Sequence, residues 1–253
     1  MADNATVTHP SFLQPLFIEI YGDYGTGKTS LALQAPNPLL IDTSPHMEAL
    51  SIVRKYYPSD FLNRYVHCTD FDSILSVINN LRVNNENKFK TVIIDTSTLL
   101  LEYATQKFIN DLNQQGKKRI RPLPQEYGYI YQLINNLITT IISPTQLFMN
   151  LIFTARMTEE IKVTVVDDRE IIQKTGKLVR DGYKHTPAYA DLRIKIDLIK
   201  TEKDYQRKYV VVKNRFRDRV NSNEWIDELV IKKISDFWSA IKQLTQLGDC
   251  TVE

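Results

Sequence analysis

Gly22-Asp23-Tyr24-Gly25-Thr26-Gly27-Lys28-Thr29 follows the apolar run Leu16-Phe17-Ile18-Glu19-Ile20 and precedes a short helical pattern that Pro36 must end. The chain holds only eight glycines, so three of them in this one window ask for a backbone reason. A buried strand, a glycine-rich turn and a helix, in that order, is the setting in which G-x-x-x-x-G-K-S/T binds phosphate. The glycines let backbone N–H groups turn inward, and the helix N-terminus adds a favourable dipole. In this reading Lys28 neutralises β- and γ-phosphate charge and Thr29 is a ligand of Mg²⁺, with Ser30 the next residue of the binding segment Gly22 to Ser30. The bland alternative is a glycine-rich turn followed by a chance Lys-Thr.

A phosphate loop needs a second acid for the magnesium shell. Asp95 closes the apolar run Val92-Ile93-Ile94 and has the right neighbourhood, although a helix N-cap at a strand end is the competing use for it. About 65 residues separate Lys28 from Asp95, room for two strand–helix units and a sheet with a strand inserted between the two. Absences narrow the class. Asn87-Lys88-Phe89-Lys90 fails the Asn-Lys-x-Asp guanine pattern at its acid, so ATP is the default nucleotide. Residue 23 is Asp where deviant loops carry Lys, and Asp95 is followed by Thr96 and Ser97 rather than Glu.

Working outward, Pro38 to Asp42, Arg64 to Cys68 and Asn150 to Ala155 read as further buried strands. Thr69 or Asp70 caps a helix with Ile74, Leu75, Ile78 and Leu81 on one face, and a long helix runs from Gln125 towards Pro144. Residues 159 to 214 are richer in short alternating runs and read as antiparallel hairpins. Ser235 caps a last helix through Phe237, Trp238, Ile241 and Leu244. The expected fold is α/β, a mainly parallel central sheet flanked by helices with C-terminal antiparallel hairpins. Residues 1–13 are expected to be a flexible tail, 14–220 the core with its hairpin-rich part at 157–220, and 221–253 a helical segment.

The 253 residues carry 32 Lys and Arg against 30 Asp and Glu, so global charge gives no argument for nucleic acid. Two distant cysteines exclude a disulfide scaffold, and the four histidines show no ligand spacing. No apolar run reaches the roughly 18 residues of a membrane span, and no secretory signal opens the chain. The expected location is the cytoplasm, of a host cell if the chain is viral.

In these motifs the sequence resembles the core of RecA/RadA-type P-loop ATPases, and more closely the phage- or virus-encoded nucleotide-binding proteins related to them, some of which act in single-strand annealing. The resemblance covers residues 14 to 220 and rests on Gly22 to Thr29, Leu40-Ile41-Asp42-Thr43, Val92 to Thr96, Ile152-Phe153-Thr154-Ala155-Arg156 and Val212-Lys213-Asn214-Arg215. It implies a RecA-like fold, Mg-ATP, a homo-oligomer or filament, and DNA-dependent ATP hydrolysis in recombination, annealing or replication of a virus or mobile element. One position departs from the pattern. The family's glutamate after Ile-Asp-Thr polarises the attacking water, whereas this chain has Ser44, which cannot act as a base at neutral pH. Glu48 stands one helical turn further on, either as a substitute base or as a solvated helix residue. Arg156 resembles a γ-phosphate sensor, or is an exposed strand-end arginine. Lys213 and Arg215 resemble the pair that acts in trans on a neighbour's nucleotide, or form the charged face of an edge strand.

RecA-like proteins hold single strands in two mobile loops. Gln114 to Pro122, with Lys117, Lys118, Arg119 and Arg121 and no acid, stands where the first is expected, and residues 157–184, with Lys174, Lys177, Arg180 and Lys184, where the second is. Tyr127 or Tyr129 could offer a stacking face, and a solvated basic loop is the competing reading. A DNA-packaging motor, a nucleotide-gated binder with little turnover and a small-molecule kinase share the loop and stay open as alternatives.

Overall fold

The computed structural model describes residues 14–84, 88–166, 169–201, 205–216, 227–229 and 236–245. Its strands are β1 (Phe17–Gly22), β2 (Pro38–Asp42), β3 (Tyr65–His67), β4 (Thr91–Asp95), β5 (Asn150–Val166), β6 (Arg169–Asp181), β7 (Leu192–Lys200), β8 (Tyr205–Asn214) and β9 (Asp227–Leu229). Its helices are α1 (Lys28–Ala32), α2 (Leu50–Tyr56), α3 (Phe61–Arg64), α4 (Phe71–Asn84), α5 (Leu100–Gln114), α6 (Tyr127–Ile142), α7 (Thr186–Tyr189) and α8 (Phe237–Thr245).

The strands pair in the order β3-β2-β4-β5-β1-β7-β8-β9, with β6 on the outlying half of β5. From β3 to β7 every pairing is parallel, and β8 and β9 add antiparallel strands at one edge. β5 lies between the strand that feeds the glycine window and the strand that ends in Asp95, so the expected inserted strand is present. The expected α/β architecture is the observed one.

Alternation along the buried strands divides the apolar residues between the two faces. Phe17, Ile41, Val92, Ile94, Leu151 and Phe153 meet α4, α5 and α6, while Ile18, Ile20, Leu40, Ile93, Ile152 and Ile194 meet Leu31, Val53, Phe237 and Ile241 on the other side. Phe17 and Phe153 touch edge to face with centroids 4.9 Å apart, a contact made by neighbouring strands. Asp70 caps α4 by accepting from the Ser73 N–H at 2.7 Å. Gly22 ends β1 where an added Cβ would lie 2.5 Å from the Ile196 carbonyl oxygen, so only glycine lets β7 approach this closely.

Two expectations need correction. Residues 157–184 do not form a loop: β5 runs past the core sheet and pairs with β6 as a two-stranded ribbon, Arg156 facing Asp181. β-branched alternation continues through both halves, so the backbone satisfies itself as a ladder. The described parts of 221–253 contain a strand as well as a helix: β9 pairs with β8, and Phe237 and Ile241 are buried in the shared core. Ser235, the expected cap of α8, lies outside the described residues, as do residues 1–13.

Candidate nucleotide site

The parallel strands β1, β2 and β4 all end on one side of the sheet, where Asp42 of β2, Asp95 of β4 and the loop after β1 line a cleft of about 290 Å³. Such a crevice at the carboxyl ends of parallel strands is where open α/β sheets place ligands. Lys28, Thr29, Ser30, Glu48, Asp95 and Arg156 all line it, with Tyr24, Gly25 and Gly27 of the loop. Gly25 and Gly27 are left-handed, at φ 72° and 93°, which is the conformational reason for glycine at both.

Lys28 Nζ donates to the Gly22 and Asp23 carbonyls at 3.1 and 2.8 Å, so the ammonium is held across the mouth of its own loop. Burial pushes its pKa down, while the Asp95 carboxylate works in the opposite direction. The Thr29 hydroxyl donates to Asp95 Oδ2 at 2.6 Å, and Thr154 Oγ1 donates to Oδ1. Hydroxyl and carboxylate oxygens side by side, one carried by the loop helix and one by β4, are a donor set suited to a hard divalent cation such as Mg²⁺. The Asp95–Thr96 peptide is cis.

Desolvation raises the Asp95 pKa above the ordinary carboxylate range, and its two threonine hydrogen bonds oppose the rise only in part. A raised pKa means that the fold prefers the protonated acid. The ionised form therefore costs stability at neutral pH, and that cost shrinks as pH falls below the folded-state value and is gone only below the ordinary carboxylate value of the unfolded chain. Asp95→Asn should accordingly raise the melting temperature of the ligand-free protein by roughly 2–4 °C, the shift expected from about 1 kcal/mol in a chain this long. The same variant should lose the extra stabilisation that Mg²⁺ adds to nucleotide. Thermal melts with nucleotide, with and without Mg²⁺, check both halves, and a variant that still gains from Mg²⁺ would remove Asp95 from the metal site.

Glu48 sits in a turn ahead of α2, not on a helix. Asp42 shapes that turn. Its Oδ1 accepts from the Ser44 N–H and hydroxyl at 2.8 and 2.6 Å, and its Oδ2 accepts from the Ala49 N–H and the Tyr65 hydroxyl, both at 3.0 Å. Ser44 Oγ in turn accepts the Glu48 N–H at 3.0 Å. Ser44, the departure from the recombinase pattern, is thus a buried positioning residue that delivers Glu48 to the cleft. The Glu48 carboxylate meets Arg156 Nη2 at 3.0 Å, which joins the candidate base to the candidate phosphate sensor.

The remaining cations are placed differently. Lys213 and Arg215 lie near the opposite end of the sheet from the loop, since Lys213 pairs with Arg193 while the loop end of β8 begins at Tyr205. Lys213 Nζ donates to the Pro187 and Ala188 carbonyls, and Arg215 pairs with Asp191 at 2.7 Å. Arg119 pairs with Glu126 at 3.5 Å and its backbone is held by Asn113, so the acid absent from the basic segment is supplied seven residues on. Lys117, Lys118 and Arg121 are exposed. Arg180 is no surface cation: it and Arg193 close on the fully buried Glu19. Lys184 lies over the Tyr131 ring, and Lys174 pairs with Glu159. Tyr127 and Tyr131 pack against the core, and Tyr129 is exposed with one face on Phe108.

Sequence reasoning missed Arg207. It reaches the loop from β8, and its Nε donates to the Thr26 carbonyl at 2.8 Å.

Residues 14–218 match a family described as an AAA domain. The chain belongs to that family. It is a nucleotide-binding P-loop protein. No curated protein matches it at a significant level. Among solved structures, a KaiC-like protein from the hyperthermophilic archaeon Pyrococcus horikoshii is 15% identical with TM-score 0.48, over 80% of this chain and 81% of that one. The RadB recombinase is 20% identical with TM-score 0.45, over 81% of this chain and 84% of that one. No helix among the described residues is long and apolar enough to cross a membrane.

Proposed function

We propose that the chain is an Mg-ATP-dependent RecA-like ATPase whose turnover responds to single-stranded DNA, acting in recombination, annealing or replication of a virus or mobile element. The observation that carries the ATPase part is the single cleft that gathers Lys28, the Thr29–Asp95 pair and the Glu48–Arg156 pair. Lysine on the phosphates, an oxygen pair on the metal and a carboxylate beside an arginine are the parts that phosphoryl transfer to water requires. Thr29 and Asp95 would hold a bound Mg²⁺, which would supply charge neutralisation at the phosphates. This chain's residues would hold the nucleotide and offer Glu48 as proton acceptor.

The DNA part is supported by Lys117, Lys118 and Arg121, exposed together beside the fully solvated Ile120. Cations of this kind track a phosphate backbone without sequence preference. The working assembly is a homo-oligomer or filament, in which Lys213 and Arg215 would exchange the 187–191 turn for a neighbour's phosphates. One observation favours a second reading, a nucleotide-gated binder with little turnover: in this structure Arg156 occupies the Glu48 carboxylate.

Steady-state hydrolysis with and without single-stranded DNA separates these. The proposed activity predicts clear stimulation by DNA. It also predicts that changing Lys117, Lys118 and Arg121 together to Ala lowers the salt slope of binding by about 2, at roughly 0.7 per single-strand phosphate contact. DNA binding and stimulation unchanged in that variant would remove the segment from the interface, and binding without turnover would favour the gated binder.

A further inference from the structure

The cleft assembles three cations, Lys28, Arg156 and Arg207. Two have an acid close by: Asp95 acts on Lys28, and Glu48 pairs with Arg156. Arg207 has no carboxylate partner among the described residues. Only its Nε is committed there, to the Thr26 carbonyl, which leaves both terminal nitrogens of the guanidinium as free donors beside the loop. Its position is fixed by the sheet. β7 lies against β1 with Gly22 opposite Ile196, Ile196 faces Tyr209 on β8, and Arg207 stands two residues further towards the loop. The fit is close: a Cβ on Gly27 would lie 3.1 Å from Arg207 Nε, so any side chain at residue 27 would run into the guanidinium.

Lys28 and Arg156 already have acids beside them, so Arg207 is the cation of the cleft whose charge a bound anion would balance. Arginine presents donors in a planar fork matched to phosphate oxygens, and here the fork is already oriented by its Nε bond. We infer that Arg207 is a phosphate-binding residue of the nucleotide site, donated in cis by the C-terminal hairpin, so that a bound nucleoside polyphosphate fastens the β7–β8 hairpin to the phosphate loop. This rests on the nucleotide reading of the cleft. It gives the hairpin a role inside its own subunit's site, separate from any trans action of Lys213 and Arg215 at the other end of the same strand.

The test compares wild type, Arg207→Ala, Arg207→Lys and Lys28→Ala for binding of ATP, ADP and inorganic tripolyphosphate by calorimetry, with ligand-free melting temperatures alongside. Arg207→Ala is expected to weaken all three ligands roughly 10- to 100-fold, the worth of a charge-assisted hydrogen bond, with the ligand-free melting temperature little changed. Arg207→Lys, which keeps the charge and loses the fork, is expected to recover part of that affinity. Hydrogen exchange supplies a readout that a mere structural pin would not move: ATP should slow exchange along Tyr205–Asn214 in wild type but not in Arg207→Ala. Wild-type affinity in Arg207→Ala alongside lost affinity in Lys28→Ala overturns the assignment of Arg207 alone. Wild-type affinity in both overturns the nucleotide reading beneath it. Should the alanine variant fail to fold, Arg207→Lys and Arg207→Gln carry the comparison, and wild-type affinity in both again overturns the proposal.

Discussion

Lys28→Ala is expected to lower ATP affinity by roughly 30- to 5,000-fold, the factor corresponding to about 2–5 kcal/mol for removing one partner of a close charge pair. The fold should survive it. Lys28 is partly buried, burial lowers its pKa, and its only hydrogen bonds among the described residues are to two carbonyls of its own loop. A lowered lysine pKa means that the folded protein holds the proton less tightly than the unfolded chain does. The charged side chain therefore costs stability at neutral pH, and the cost disappears only as pH rises through the lysine range. Removing it should leave the ligand-free melting temperature level or slightly raised. Calorimetric titration with ATP next to a thermal melt reads both. An alanine variant that binds ATP like wild type would end the phosphate-loop assignment, whereas one that binds nothing and melts early would mean that Lys28 is chiefly structural.

The parts of this site that the sequence makes legible are those whose physics is local. The loop can be read because strand, glycines, Lys28 and helix are contiguous, and Asp95 because a buried parallel strand announces itself as an unbroken apolar run. What stays hidden depends on register between distant segments. Arg207 stands 181 residues from the carbonyl it holds and arrives there through the β7–β8 pairing, which includes a register shift between Arg193 and Ile194. Glu19 reads as a polar interruption in β1, and its burial makes sense only once Arg180 and Arg193 come to it from 161 and 174 residues away. The 157–184 ribbon was legible as alternating sequence, but the family resemblance favoured a loop there. The basic segment at 117–121 was legible as charge, whereas the commitment of Arg119 to Glu126 was not. Charge is a property of composition, and availability is a property of packing.

The same distinction bears on which acid we propose as the base. Three acids line the cleft: Asp42, Glu48 and Asp95. Asp42 accepts four hydrogen bonds and is 1% exposed, which leaves it no approach to water. Asp95 is held by two threonines and desolvated, which fits the metal role proposed for it better than that of a base. Glu48 gives one oxygen to Arg156, and its other oxygen accepts no hydrogen bond among the described residues. A terminal phosphate entering the cleft carries more charge than a carboxylate and would compete for Arg156, freeing Glu48 to orient and deprotonate water. Glu48→Gln is therefore expected to lower kcat by about 10²- to 10⁴-fold while ATP affinity stays near wild type, because a general base contributes to the transition state and little to the ground state. Single-turnover hydrolysis with pre-bound ATP isolates that step from binding and release. A rate within two- to threefold of wild type, a margin small beside the effect a general base supplies, would show that Glu48 serves only to hold Arg156 in the ligand-free cleft.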